Sequence, residues 1–326
     1  MAQTTRVLSI DSGGIRGILP ALILATVERQ TGRRIHELFD VIAGASTGGI
    51  IACGLTKPNP MTASEMASIY IEDGPRIFAC SPARAALSTV KGSKYDDSVL
   101  DSILLKKLGN AKLSDCLIDV LIPAYDLESR EAHFFKSWKA QNLFVPVGET
   151  PADSDFLLRD VARATAAAPT YFEPVVIPSI SGNMYSLIDG SITASNPAMC
   201  AVASVKKLYP DTKRIVLLSL GTGQPTRPIP YEIARQWGTL SWARPALECL
   251  LDGAADTVDY QLRESYEDSE LTYIRITTRM GEGPSPPADA IDDASPENIR
   301  RLIARAQVMA EGAMADLARI WHMLVQ

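Results

Sequence analysis

Apolar positions along this chain fall into two patterns. Short, nearly unbroken runs cover Val7 to Ile10, Phe39 to Ala43, Cys116 to Ile122, Ala132 to Trp138, Met184 to Ile188, Arg214 to Leu220 and Leu271 to Thr277, and each predicts a strand. In Arg214 to Leu220 the residues Ile215, Val216, Leu217 and Leu218 are consecutive, the pattern of a strand covered on both faces. Longer stretches between these runs carry helical spacing. One follows Gly17 and runs to about Gln30, where Thr31-Gly32 supplies a stop. Another starts after Gly49 and is broken between Thr56 and Pro60, and residues 61–115 read as mostly helical. Asp155 to Ala168 is helical up to Pro169, and Asn196-Pro197 opens a helix to about Leu208. After the loop Gly281 to Asp289, apolar residues at Ile299, Leu302, Ile303, Ala306, Met309, Ala313, Leu317 and Ile320 predict one long amphipathic helix. Arg300, Arg301, Arg305 and Arg319 would lie on its solvated side.

Strands alternating with helices predict a layered α/β fold, and neither an internal repeat nor a linker interrupts the alternation. Residues 1–326 are therefore expected to form a single domain. Its motif-bearing core spans 5–223, and an extension, 224–326, packs on that core. Tyr231 to Leu251, with Trp237 and Trp242, is a candidate lid or interfacial face.

Composition narrows the function classes. Of 326 residues, 46% are apolar and 21% charged, which excludes a disordered chain and allows a large core. Lys plus Arg total 32 against 38 acids, a net charge of −6, so a nucleic-acid partner is not expected. Cys53, Cys80, Cys116, Cys200 and Cys249 form no CxxC pair and read as buried free thiols of a reducing compartment. Only His36, His133 and His322 are present, without metal-ligand spacing, so neither metal nor cofactor is expected. Met1 to Ile10 lacks the pattern of a leader, and the apolar segment Ile18 to Ala25 is too short to span a bilayer. The expectation is a cytoplasmic protein that meets a membrane surface transiently, if at all.

Three glycine-framed segments carry candidate chemistry. Gly44-Ala45-Ser46-Thr47-Gly48 lies behind a strand and before a helix, a setting that lifts a serine onto a sharp turn above the sheet edge. A phosphate-binding or purely structural turn is the plainer alternative. Asp11-Ser12-Gly13-Gly14-Ile15-Arg16-Gly17 follows the first strand. Its small residues expose backbone N–H groups suited to a phosphate or an oxyanion. The spacing is not GxGxxG, which weakens the nucleotide reading. Asp189-Gly190-Ser191 ends a short strand, where a carboxylate can serve as a base or simply close a turn.

Taken in chain order, Asp11 to Gly17, Gly44 to Gly48 and Asp189 to Ser191, the three segments resemble the patatin-like phospholipase family. Ala164 to Phe172, Asn196-Pro197 and Ser219-Leu220-Gly221-Thr222-Gly223 add family-like text, and the likeness covers roughly residues 7–223. The resemblance implies a three-layer α/β/α fold with a mostly parallel sheet, and carboxylic ester hydrolysis on lipids by a Ser46–Asp189 dyad. Gly13, Gly14 and Ile15 would supply an oxyanion hole, with Asp11, Arg16, Gly17, Gly44, Gly48 and Gly190 in support. Asp11 would orient the loop through Asx-type bonds, and Arg16 would steady it or hold a headgroup. By the same resemblance, Ser12 replaces the first glycine of the oxyanion loop, Ser191 replaces a glycine or alanine after Asp189-Gly190, and Ser195 stands where the family usually has the first of two asparagines.

Other readings remain at this level. Acyl transfer shares the first half-reaction. A non-catalytic lipid- or nucleotide-binding module would keep the fold. A Ser46-Asp189-His322 triad would follow the chain order of other hydrolases. Sequence leaves the oligomeric state unknown.

Overall fold

The computed structural model describes residues 4–88, 91–267 and 269–325. Eight strands form one sheet: β1 (Thr4–Ile10), β2 (Val41–Gly44), β3 (Asp119–Asp126), β4 (Glu131–Lys136), β5 (Val175–Pro178), β6 (Met184–Ile188), β7 (Arg214–Leu220) and β8 (Leu271–Ile276). Their order is β5-β6-β3-β2-β1-β7-β8, with β4 also paired to β3. The pairs from β3 through β2, β1 and β7 to β8 are parallel, whereas β4, β6 and β5 join antiparallel.

Alternation along each strand builds the two cores. Val7, Val41, Ala43 and Leu217 pack on one face against the helix Ala198–Leu208. Leu8, Ile10, Ile42, Leu218 and Leu220 pack on the other, against Ile18–Thr31 and Thr47–Thr56. All nine of these strand side chains are fully buried, so both faces of the central sheet contribute to burial. The result is a three-layer α/β/α fold with a mixed, largely parallel sheet. Register places the chemistry: Ile10 lies opposite both Gly44 and Leu220, so three parallel strands end level. The loops beginning at Asp11, Ala45 and Gly221 therefore emerge at one sheet edge, the usual place for sites in parallel sheets.

Several elements differ from the expectation. β3 starts at Asp119 because Leu113–Asp115 forms a 3-10 turn whose exit uses the Cys116 N–H. β5 is an edge strand of only four residues that none of the predicted runs covers. The single long terminal helix is two, Pro296–Gly312 and Met314–Val325, divided at Ala313. Arg305 is half-buried, its Nη1 3.5 Å from Thr278 Oγ1, because the first of these helices packs over the loop after β8. All five cysteines are free; Cys53 and Cys116 are buried, but Cys249 is exposed, because it stands on a helix at the rim of the cavity described below. Among the described residues, no helix is long and apolar enough to cross a membrane, and no His/Cys/Asp/Glu cluster could hold a metal.

Candidate active site

Ser46 occupies the turn between β2 and the helix Thr47–Thr56 with φ 53° and ψ −119°. A residue with a Cβ reaches this region only when its surroundings hold it there. Three bonds do so. Ser46 N–H donates to Thr165 Oγ1 at 3.0 Å. Ala45 N–H donates to the Ile10 carbonyl at 3.2 Å, and Gly48 N–H to the Ala45 carbonyl at 2.8 Å. The helix start also runs hard against the end of β1. A Cβ on Gly48 would stand 2.3 Å from the Ile10 oxygen, so only glycine fits.

Asp189 follows β6 and meets this turn. The Ser46 hydroxyl donates to Asp189 Oδ2 at 2.8 Å, and Ser191 N–H donates to Oδ1 at 2.7 Å. Asp189 is fully buried, and burial pushes its carboxyl up to about 6 against the opposing pull of the Ser191 and Ser46 hydrogen bonds. Thr165 ties the two segments together. It accepts from the Ser46 amide, its hydroxyl donates to the Pro123 carbonyl at 2.7 Å, and its carbonyl accepts from Gly190 N–H at 3.0 Å. A Cβ on Gly190 would lie 2.1 Å from that same Pro123 oxygen.

The glycine-rich loop forms a third side. The amides of Gly13 and Gly14 have no acceptor among the described residues, and both residues line a cavity with Ser46 and Asp189. Ile15 differs from the expectation: its N–H donates to the Ile291 carbonyl at 2.8 Å and is committed to structure. Asp11 differs too. Its carboxylate closes no Asx turn, because buried Arg275 on β8 takes both oxygens, at 2.9 and 2.5 Å. Gly17 ends the 3-10 turn Gly14–Gly17 and leads into the helix Ile18–Thr31, as Gly44 ends β2. Arg16 is buried with its Nη1 3.4 Å from the Asp289 carbonyl oxygen. Burial pulls its pKa down, opposed by Asp252, Asp289, Asp11 and Glu248.

A family model described as "Patatin-like phospholipase" matches residues 8–202. The chain belongs to the patatin-like phospholipase family. It is 34% identical to "Patatin-like protein 2" of Arabidopsis thaliana, over 90% of this chain and 79% of that protein. It is 30% identical to "Patatin-T5" of Solanum tuberosum, over 93% and 83%. A third relative, "Probable inactive patatin-3-Kuras 1" of Solanum tuberosum, is 31% identical over 97% and 89%. The family is one of lipid hydrolases.

In this patatin-like chain the cavity above Ser46 has a volume of about 1000 Å³. Ile69, Phe78, Leu104, Phe172, Trp237 and Leu251 are among the apolar residues that line it. A hydroxyl bonded to a carboxylate, two open amides and an apolar cavity suit an acyl ester. Thr165 is the residue whose role the sequence did not disclose. Its signal was a lone hydroxyl in the alanine run Ala164 to Ala168, ahead of Pro169. His133 packs among the rings of Phe135, Phe156 and Tyr185, where burial pushes its pKa down to about 4. The side chain of His322, in the helix Met314–Val325, lies outside those described.

Proposed function

We propose that this chain is a serine acyl hydrolase that cleaves carboxylic esters of phospholipids or lysophospholipids through a Ser46–Asp189 dyad. The observation that carries the reading is the 2.8 Å hydrogen bond from the Ser46 hydroxyl to Asp189 at the floor of an apolar cavity. A serine hydroxyl is a weak nucleophile until a base takes its proton. Asp189 is that base, and burial raises its proton affinity toward the working range of such a group.

Ser46 Oγ attacks the ester carbonyl carbon while its proton passes to Asp189. Negative charge develops on the carbonyl oxygen, and the Gly13 and Gly14 amides receive it; one such donor is worth about 2.7–4 kcal/mol where its removal has been measured. The intermediate collapses, the C–O bond to the alcohol breaks, and the alcohol leaves with the proton from Asp189. A water then attacks the acyl-enzyme and gives its proton to Asp189. The bond between the acyl carbon and Ser46 Oγ then breaks, Oγ takes that proton back from Asp189, and the fatty acid leaves.

Access is assigned to residues 224–326, which supply a lid or lipid-facing rim over the core. Ile229, Tyr231, Ile233 and Trp242 are exposed, and Ile229 and Ile233 also line the cavity, so an apolar surface continues from rim to site. Five free cysteines support a reducing, cytoplasmic setting in which the protein works at a lipid surface from one side.

The test is a panel of phospholipids and lysophospholipids, incubated with the protein and read by mass spectrometry for released fatty acid. Wild type is expected to release it and Ser46→Ala is not. Equal release by both rejects the assignment. Adding an acceptor alcohol separates hydrolysis from acyl transfer by the product formed.

A further inference from the structure

Two serines beside the candidate site touch each other. Ser12 opens the glycine-rich loop, and Ser195 caps the short helix that follows Asp189. Their hydroxyl oxygens lie 2.8 Å apart, although the two residues are 183 positions apart in the chain. Ser12 N–H also donates to the Ser195 carbonyl at 2.9 Å. Ser195 itself is buried.

Each serine adjoins one half of the candidate chemistry. Ser195 follows Asp189 by a single helical turn, Ser191–Ala194, closed by the Ala194 N–H to the Gly190 carbonyl at 2.8 Å. Ser12 shares a peptide plane with the Gly13 amide. A trans peptide points its C=O and N–H in opposite directions, so whatever holds the Ser12 carbonyl also aims the Gly13 N–H. The Thr222 hydroxyl donates to that carbonyl. Ser12 is thus gripped at its N–H, its carbonyl and its side chain, and two of the three grips come from Ser195.

We infer that Ser12 and Ser195 form a positioning pair that sets the Gly13 amide relative to the Ser46–Asp189 axis. Glycine at 12 offers no side chain to bond. Asparagine at 195 would have to fit a longer side chain into the space that Ser195 shares with the Ser12 hydroxyl. Neither serine touches the reacting atoms in this role. The inference rests on the hydrolase reading, since an amide needs aiming only if an oxyanion forms there.

The experiment is a double-mutant cycle on a soluble short-chain ester, with kcat and KM measured separately and thermal unfolding recorded for each variant. Ser12→Ala and Ser195→Ala should each lower kcat by roughly tenfold with KM unchanged, because an amide displaced by a fraction of an ångström stabilises the transition state less. The double variant should be no slower than the slower single one. Ser12→Gly combined with Ser195→Asn, which clears the space the longer side chain needs, should recover kcat over Ser195→Asn alone. These two do not depend on the alanine variants folding well. Losses that multiply in the double variant, or a fall in unfolding temperature with kcat unchanged, overturn the inference. Turnover by wild type that Ser46→Ala does not abolish overturns the hydrolase reading itself, and this inference with it.

Discussion

The Ser46 hydroxyl and the Asp189 carboxylate meet at 2.8 Å although 143 residues separate them. The carboxyl is fully buried, and burial lifts its pKa to about 6. Only the ionised carboxylate can take the serine proton. The rate on a soluble ester should therefore rise with pH through a midpoint near 6 and level off above it. A pH–rate profile checks this. In Asp189→Asn, which has no base, the rate should fall by about a hundredfold or more and the midpoint should vanish.

The same burial predicts an effect on stability. The folded carboxyl binds its proton more tightly than the unfolded one, whose pKa is near 3.8. Below that value both states are protonated and nothing is lost. As pH rises toward 6 the folded protein loses the advantage of the bound proton, and above 6 the loss is complete. Asparagine carries no such charge and can still accept from the Ser191 amide. Asp189→Asn should gain stability over wild type at about pH 8, by at most about 3 kcal/mol, and the gain should disappear at about pH 4. Denaturant unfolding at the two pH values measures it.

Thr165 holds Ser46 in its strained turn by accepting from the Ser46 amide while donating to Pro123. Thr165→Val keeps the shape but removes both bonds. It should cost about 1–3 kcal/mol of stability, the range for buried groups left unpaired. It should also lower kcat more than it raises KM, since the turn can relax away from Asp189. Unfolding curves and ester kinetics on the one variant test both parts.

Tyr231 and Trp242 are exposed beside the cavity, at 74% and 40%. Replacing both with serine should leave turnover of a short soluble ester within about twofold. It should reduce turnover of phosphatidylcholine vesicles severalfold, because burial of an apolar side chain is worth about 1.5–3 kcal/mol. Vesicle sedimentation should show the matching loss of binding.

Much of the architecture was legible because it depends on local pattern. Ile215 to Leu218 announced a central strand, and glycines at 44 and 48 framed a turn whose tightness follows from the Ile10 carbonyl. Contacts across the chain were not legible. Nothing in a run of alanines says that Thr165 will bridge Ser46 to Pro123. Nothing near Ile15 says that Ile291 will claim its amide. Asp11 looked like a turn residue because its partner, Arg275, lies on the last strand, beyond the family-like text. The break at Ala313 left the apolar spacing intact, so the periodicity carried no trace of it.

The most direct test is reaction with a fluorophosphonate, followed by mass spectrometry of the digested protein. The account predicts one adduct, on the peptide carrying Ser46, absent in Ser46→Ala and formed far more slowly in Asp189→Asn. A folded protein that takes no adduct at Ser46, or takes it equally fast without the Asp189 carboxylate, contradicts it.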